Sequence, residues 1–369
     1  LDFIMTLMIY YLAHSDWILK QSRADIVKSL DTKFKITSIC PLEDNSEEVI
    51  NNYHKSILWN TNKNIFFDVL GIIQLRKILS KIDKGDTLHI FTIKSLYMFI
   101  FASIFYNKEF KVLVSITGLG FLFANTLLAK VIKFLTRFLI ILQINKKVDL
   151  IIFQNIKNKK DFIKYSKYNN KTRIVEGSGL NTKKIKIKIN TNPKTKVIFV
   201  GRLMIEKGIH EYIKIAKIMN EDPNLEFYIA GKPDFGNKSS ISEEELENIK
   251  NSPYVDYLGQ INVYEELCNY DILIQPSHHE GLSRILLESM YAGLYCICND
   301  IPGIKEIIMK TNFGLLIRNN NIESYVDAIK SFNSDNELSN YENAKNIINS
   351  DYSVEAIAKE FNKIYDEFV

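Results

Sequence analysis

The stretch QPSHHEGLSRILLESMYAG, Gln275 to Gly293, follows the apolar run Ile272 to Ile274 and passes from strand through loop to helix. Ile272 to Gln275 reads as a short buried strand, and the apolar spacing beyond Leu282 reads as a helix. Open parallel sheets bind ligands in such loops, outside the carboxyl ends of their strands. Gly281, directly after Glu280, lets backbone approach a ligand, and the amides of Gly281, Leu282 and Ser283 would open the helix toward a phosphate. With the helix beginning near Leu282, Glu280 lies at its mouth and Glu288 two turns inside, about 12 Å along the axis. One carboxylate can then bond a sugar on one side of a diphosphate while the other bonds a ribose, each accepting more than one hydrogen bond. An amphipathic helix with solvated glutamates has the same spacing.

Upstream, GRLMIEKG (Gly201 to Gly208) comes straight after the strand Val197 to Val200. A glycine turn there sets Arg202 and Lys207 beside a helix N-terminus, where a diphosphate gains charge-assisted hydrogen bonds and the positive end of the dipole. Alone, the loop is equally an exposed turn with ordinary surface charges. The surrounding alternation carries the fold. Strands are expected near Glu226 to Ile229, Val255 to Leu258, Ile272 to Gln275, Tyr295 to Cys298 and Leu315 to Ile317. In the first half they are expected near Leu7 to Ala13, Lys35 to Ile39, Leu88 to Phe91, Lys111 to Ile116, Leu150 to Phe153 and Arg173 to Val175, with helices in the gaps. Two doubly wound α/β domains follow, joined by the polar, lysine-rich stretch Asn181 to Lys196. The active site is expected in the cleft between them.

The 369 residues, 46% hydrophobic and 12% aromatic, suffice for two cored domains and exclude disorder. The formal charge of +4 hides an asymmetry: residues 1 to 185 hold 28 Lys/Arg against 15 Asp/Glu, the remainder 19 against 28. No zinc-finger, RRM or helix-turn-helix signature accompanies the basic half, so nucleic acid is not the expected partner. Anionic lipid or diphosphate is, with plain solvated charge as the alternative. Cys40, Cys268, Cys296 and Cys298 lack C-x-x-C spacing and read as packing residues in a reducing cytoplasm. The start, Phe3 to Ala13, has no basic n-region or small-residue cleavage pattern and reads as a buried strand rather than a signal peptide; Met5 is an alternative beginning to Leu1. Val112 to Ala129 carries no charge, which reaches the lower limit for a spanning helix, but the turn Thr117-Gly118-Leu119-Gly120 divides it into a strand and a helix start. The same glycines do not make a nicotinamide fingerprint, because Phe123 stands where the third glycine would be.

With these segments in place, the chain resembles the bacterial retaining glycosyltransferases of GT-B fold that carry an E-x7-E motif (glycosyl transferases group 1), Glu280 to Glu288 matching that motif. GRLMIEKG, IAGKPD (Ile229 to Asp234), YLGQ (Tyr257 to Gln260), QPSHHEGLSRILLESMYAG and NDIPGIKEII (Asn299 to Ile308) fall in the family's order, and GSGLN (Gly177 to Asn181) looks like its motif at the domain junction. The resemblance implies a GT-B architecture of two Rossmann-like domains with an interdomain cleft. Residues 1–180 would bind the acceptor and 181–369 a UDP-sugar, with the option that the last helix crosses back to the first domain. Arg202 and Lys207 would neutralise the donor diphosphate, Glu280 would bind the transferred sugar and Glu288 the ribose. Gly201, Gly281, Leu282 and Ser283 would complete the donor site. No D-x-D triplet occurs, in keeping with cations replacing a metal; no cofactor beyond the UDP-sugar co-substrate is implied. Stereochemistry would be retained by a same-face displacement.

On the acceptor side, His89 to Lys94 (HIFTIK) and Ser115 to Gly120 (SITGLG) look like the family's loops, in particular the subset that extends polyprenyl-diphosphate-linked saccharides in surface polysaccharide or glycan assembly. His14, His89, Lys94, Thr117 and Gly118 are the candidates there. His89 is equally readable as a satisfied histidine at a strand end and His14 as one in the loop after the first strand, and Thr117 stands where many relatives carry a histidine. KVIKFLTRFLIILQINKK, Lys130 to Lys147, reads as a helix facing an anionic membrane or as one packed on its own sheet. The expected activity is hexosyl transfer, of HexNAc or galactose, at the cytoplasmic face of the membrane. A nucleotide-sugar epimerase and a non-catalytic sugar-nucleotide-binding subunit are the alternatives.

Overall fold

The computed structural model describes residues 7–41, 54–57, 65–104, 108–118, 137–138, 140–188, 193–235, 239–332 and 340–368. The chain divides into two compact units, one formed by Leu1–Gly179 with Val354–Val369 and the other by Leu180–Ser353. The last helix, Val354–Phe368, thus belongs to the first unit, although in sequence it follows the whole of the second.

The first unit holds β1 (Leu7–Leu12), β2 (Phe34–Cys40), β3 (His54–Ser56), β4 (Thr87–Phe91), β5 (Lys111–Ile116), β6 (Leu150–Phe153) and β7 (Lys171–Ile174). They form one sheet in the order β3-β2-β1-β4-β5-β6-β7, every pair parallel. Its central strands β4, β5 and β6 are almost wholly buried and read as apolar runs, as parallel strands covered on both faces do. Tyr10 and Leu12 of β1 enter one core cluster, while Ile9 and Tyr11 enter another that also takes Ile357, Phe361 and Tyr365 of the last helix. Period-two alternation along β1 thereby sorts its residues between two cores.

The second unit holds β8 (Thr195–Val200), β9 (Leu225–Ala230), β10 (Asp256–Gly259), β11 (Ile272–Gln275), β12 (Tyr295–Asn299) and β13 (Leu315–Ile317). Their order, β10-β9-β8-β11-β12-β13, is again all parallel. Each sheet reverses direction of growth at one place, between β1 and β4 and between β8 and β11, and at that switch point the loops at the carboxyl ends part to leave a crevice. Two expectations need correction. The helix after β11 is Arg284–Ala292, with Ser283 as its N-cap, so it begins beyond Leu282. The stretch from Asn181 is also no loose linker over its described part: Thr182–Lys184 forms a short 3-10 turn, Ile185 is buried, and Lys188 pairs with Asp271 of the second unit.

Val112–Ile116 of the charge-free run lies in β5, while residues 119–129 fall outside the described residues. No helix among the described residues is long and apolar enough to cross a membrane. Of Lys130 to Lys147, residues 130–136 and 139 lie outside as well. In the described remainder Ile140 and Ile144 turn into the core, Lys147 is buried, and Phe138 and Leu142 stay exposed at 62% and 47%.

Candidate functional site

In the second unit the loops after β8 and β11, the two strands at the switch point, are locked together. Gly208 closes the first loop with φ of +80°, and a Cβ there would overlap the Pro276 carbonyl, so only glycine permits the approach. The loop after β12 presses on Gly281 in the same manner through Gly303, φ +86°. Two asparagines fasten the Pro276–Ser277 backbone: Asn299 Nδ2 donates to the Ser277 carbonyl at 2.9 Å, and Asn320 Nδ2 to the Pro276 carbonyl at 2.9 Å. Tyr325 hydroxyl in turn donates to Asn320 Oδ1 at 2.9 Å.

This frame presents Glu280. Its Oε1 accepts from Lys207 Nζ at 2.7 Å, Gln275 Nε2 at 2.9 Å and Ser277 Oγ at 3.0 Å. All three donors converge on one oxygen, and among the described residues no protein donor is placed on Oε2. Ser283 Oγ donates to Gln275 Oε1 at 2.8 Å and accepts from the Leu286 amide at 3.3 Å, so the buried amide of Gln275 ties the helix cap to the carboxylate. The Ser283 amide, expected to face a donor, instead donates to the Gly303 carbonyl at 3.3 Å. Leu282 packs its side chain on the core, and among the described residues no protein acceptor takes its amide. Gly201 closes β8, its amide bonded to Ala230 O at 3.0 Å.

Arg202 is a half-exposed partner of Asp234, Nη1 to Oδ2 2.9 Å, and exposed pairs of this kind contribute only about 0–1 kcal/mol. Glu288, by contrast, is buried at 5% exposure. Arg284 Nε donates to its Oε1 at 2.8 Å, and Arg284 Nη2 to the Tyr264 hydroxyl at 2.6 Å. Burial pushes the Glu288 carboxyl up from the ordinary glutamate value, and the adjacent guanidinium opposes that. With the helix starting at Arg284, Glu288 sits about one turn inside it, not two.

In the first unit, His14, Lys94, Thr117 and Gly118 follow the carboxyl ends of β1, β4 and β5, neighbours in the sheet. His14 Nδ1 meets Thr92 Oγ1 at 2.8 Å, and burial with Lys94 nearby lowers its imidazole to about 4. Thr92 has φ of +79°, a conformation costly for a β-branched residue. His89 requires a correction as an acceptor contact. It is fully buried in mid-strand, with Nδ1 against the Tyr365 hydroxyl at 2.7 Å and Nε2 against Ser115 Oγ at 2.8 Å. No surface of it is left for a substrate.

Sequence reasoning missed Gln275, Ser277, Asn299, Asn320, Arg284, Tyr264 and Thr92. Gln275 and Asn299 did leave a signal, each being the single polar residue closing an apolar strand run, ILIQ and the end of YCICN. Arg284 left only its i,i+4 spacing to Glu288.

Comparison with known proteins joins these observations. The family described as glycosyl transferases group 1 matches residues 181–365, and the one described as glycosyl transferase 4-like matches residues 8–155. The N,N'-diacetylbacillosaminyl-diphospho-undecaprenol alpha-1,3-N-acetylgalactosaminyltransferase of Campylobacter jejuni is 29% identical over 184 residues, 49% of this chain and 47% of that one. The chain thus spans about half the length of the curated relatives it matches. Sucrose-phosphate synthase of Thermosynechococcus elongatus superposes with a TM-score of 0.78 at 14% identity, over 98% of each chain. HepE of Anabaena, solved with UDP-glucose, gives 0.75 at 15% identity over 98% of this chain and 100% of that one. The likeness to these structures shows the two-domain α/β fold of GT-B type. The two sheets, the loops at their switch points and the family match over half the chain agree: the chain belongs to the glycosyl transferases group 1.

Proposed function

We propose that the chain transfers a sugar from a UDP-sugar to a polyprenyl-diphosphate-linked saccharide, with retention of configuration and without a metal or cofactor. The observation that carries this reading is the meeting of Lys207 and Glu280 at the switch point of the second sheet, at 2.7 Å, with Arg202 on the same loop as Lys207. The donor diphosphate lies along the loop after β8, taking Arg202 from Asp234 at small cost and sharing Lys207 with Glu280. The Leu282 amide adds a neutral donor. Glu280, held through Oε1, turns Oε2 to the transferred sugar, and Glu288 takes the ribose hydroxyls.

In the reaction the bond from the anomeric carbon to the diphosphate oxygen breaks and the bond to the acceptor hydroxyl forms on the same face. The acceptor proton passes to the departing phosphate. Arg202 and Lys207 stabilise the charge that develops on the leaving group, the term that dominates such sites. Glu280 stabilises positive character at the sugar. The name of the Campylobacter relative favours HexNAc as the transferred sugar and a diphospho-undecaprenol acceptor; galactose is the second choice. The acceptor is assigned to the first unit, around His14, Lys94, Thr117 and Gly118. The basic first half, with Phe138 and Leu142 outward, supports peripheral binding to an anionic membrane at its cytoplasmic face.

The test is turnover by the purified chain with UDP-HexNAc or UDP-galactose and a polyprenyl-diphosphate sugar, in excess chelator. A lengthened acceptor and acceptor-dependent UDP release are expected. Donor isomerised without acceptor would make the protein an epimerase, and donor binding without turnover a binding subunit. Activity lost to chelator and restored by magnesium would overturn the metal-free reading.

A further inference from the structure

We infer that Arg284 and Tyr264 are positioning residues for the nucleoside end of the donor, fixing the carboxylate of Glu288 so that one oxygen faces the ribose. The inference rests on the assignment of Glu288 to the ribose, and it concerns residues that touch Glu288 or its partner rather than the reacting atoms.

Three features combine. Glu288 is 5% exposed, so as a lone carboxylate it would be driven toward its neutral form. A neutral carboxyl has less accepting capacity for a pair of vicinal hydroxyls. Arg284, one helical turn earlier, places Nε 2.8 Å from Oε1 and supplies the opposing charge. An arginine has many rotamers, and here its fork is fixed at a second point: Nη2 donates to the Tyr264 hydroxyl at 2.6 Å. Tyr264 lies in the short helix Val263–Glu266, a different element, its ring 6.0 Å from Lys184 Nζ. Carboxylate, guanidinium and phenol thus form a chain from one helix to another, with Oε1 of Glu288 taken and its orientation set. Burial and Arg284 act on the Glu288 carboxyl, and burial, Glu288 and Tyr264 act on the Arg284 guanidinium. A lysine could supply charge to Glu288 but could not bridge both partners with a planar fork.

The experiment is isothermal titration of UDP into the full chain and its Arg284→Ala, Arg284→Lys, Tyr264→Phe and Glu288→Gln variants, from about pH 6 to about pH 9. Arg284→Ala should weaken UDP about tenfold near neutrality and regain affinity as pH rises, because Glu288 without its cation stays protonated until higher pH. Arg284→Lys and Tyr264→Phe should each weaken UDP several-fold, with a pH profile close to the parent's, and donor KM should rise while kcat holds. In the Glu288→Gln background the Arg284→Ala effect and its pH slope should vanish. Should Arg284→Ala fail to fold, the other two variants decide: parental affinity and KM in both would overturn the inference. So would an Arg284→Ala loss that persists undiminished in the Glu288→Gln background. If instead Glu288→Gln binds UDP as well as the parent, the ribose assignment itself fails, whatever Arg284 does.

Discussion

His89 in the first unit and Glu280 in the second both stand beside the switch point of a parallel sheet, yet the fold uses them in opposite ways. His89 is the middle residue of β4, inside a sheet covered on both faces, so its side chain meets a core. Satisfying it takes two hydroxyls, Tyr365 and Ser115, at 2.7 and 2.8 Å. Glu280 lies five residues past the end of β11, where no ladder dictates its direction, and its three donors crowd on one oxygen. A polar side chain within a central strand becomes structure; one just beyond the strand's end can be turned toward a ligand.

That contrast can be broken experimentally. The largest expected effect belongs to Glu280→Gln, which keeps the volume and removes the charge beside the sugar. kcat should fall by about 100-fold or more, about 3 kcal/mol of transition-state stabilisation, whereas His89→Gln should leave kcat within a few-fold of the parent. Steady-state rates on the two proteins check this, and a near-normal kcat for Glu280→Gln would remove the second unit's claim to the chemistry. A smaller effect is expected from His89→Ala, which takes one of two partners from the Tyr365 hydroxyl and leaves the Ser115 hydroxyl without its imidazole around a new cavity. Unfolding should lose about 2–4 kcal/mol, with UDP affinity unchanged. Urea unfolding followed by tryptophan fluorescence reads the first unit, since both tryptophans, Trp17 and Trp59, belong to it.

The smallest effect, taken for each histidine, is a pH dependence of that same transition. Burial holds the His89 imidazole well below its ordinary value and brings His14 down to about 4. Both therefore stay neutral in the folded unit while the unfolded chain takes up protons below about pH 6.5. The unfolded state binds more protons, so stability rises with pH in this window and falls as the solution is acidified through it, by at most about 1.4 kcal/mol per pH unit for each histidine. The transition should be level above about pH 7.5 and slide to lower urea toward pH 5. His89→Gln should flatten the slope, and an unchanged slope would mean that His89 is not the buried neutral group described.

Most strands were legible because parallel strands covered on both faces appear as near-continuous apolar runs, and β11 and β13 fall on their expected residues. The strand β3, His54–Ser56, was not, since HKS has no apolar signature and exists only through pairing with Ser38–Cys40. Of the candidate site, the loop positions of Arg202, Lys207 and Glu280 could be read from glycine and charge spacing. The start of the helix could not: Ser283 competes for the cap by bonding the Leu286 amide, which moves the first turn two residues on. The framing amides of Asn299 and Asn320 bind the Ser277 and Pro276 carbonyls, 22 and 44 residues away, and no local pattern records such distant pairs. The same holds for Tyr365, whose partners Tyr11 and His89 lie more than two hundred residues away.

The placement of Val354–Phe368 has a consequence for how the protein is made. On the ribosome the first unit begins to emerge first, but Ile357, Phe361 and Tyr365, which pack on one face of its sheet, follow the whole of the second unit. Among the described residues the core of the second unit draws on Leu180 to Tyr352, so it can close while the earlier unit still waits. At ordinary synthesis rates that wait lasts about 10–35 s. During it Tyr11 and His89 lack the Tyr365 hydroxyl that each of them bonds in the finished unit. Translation therefore finishes the two units in the reverse of the order in which it starts them.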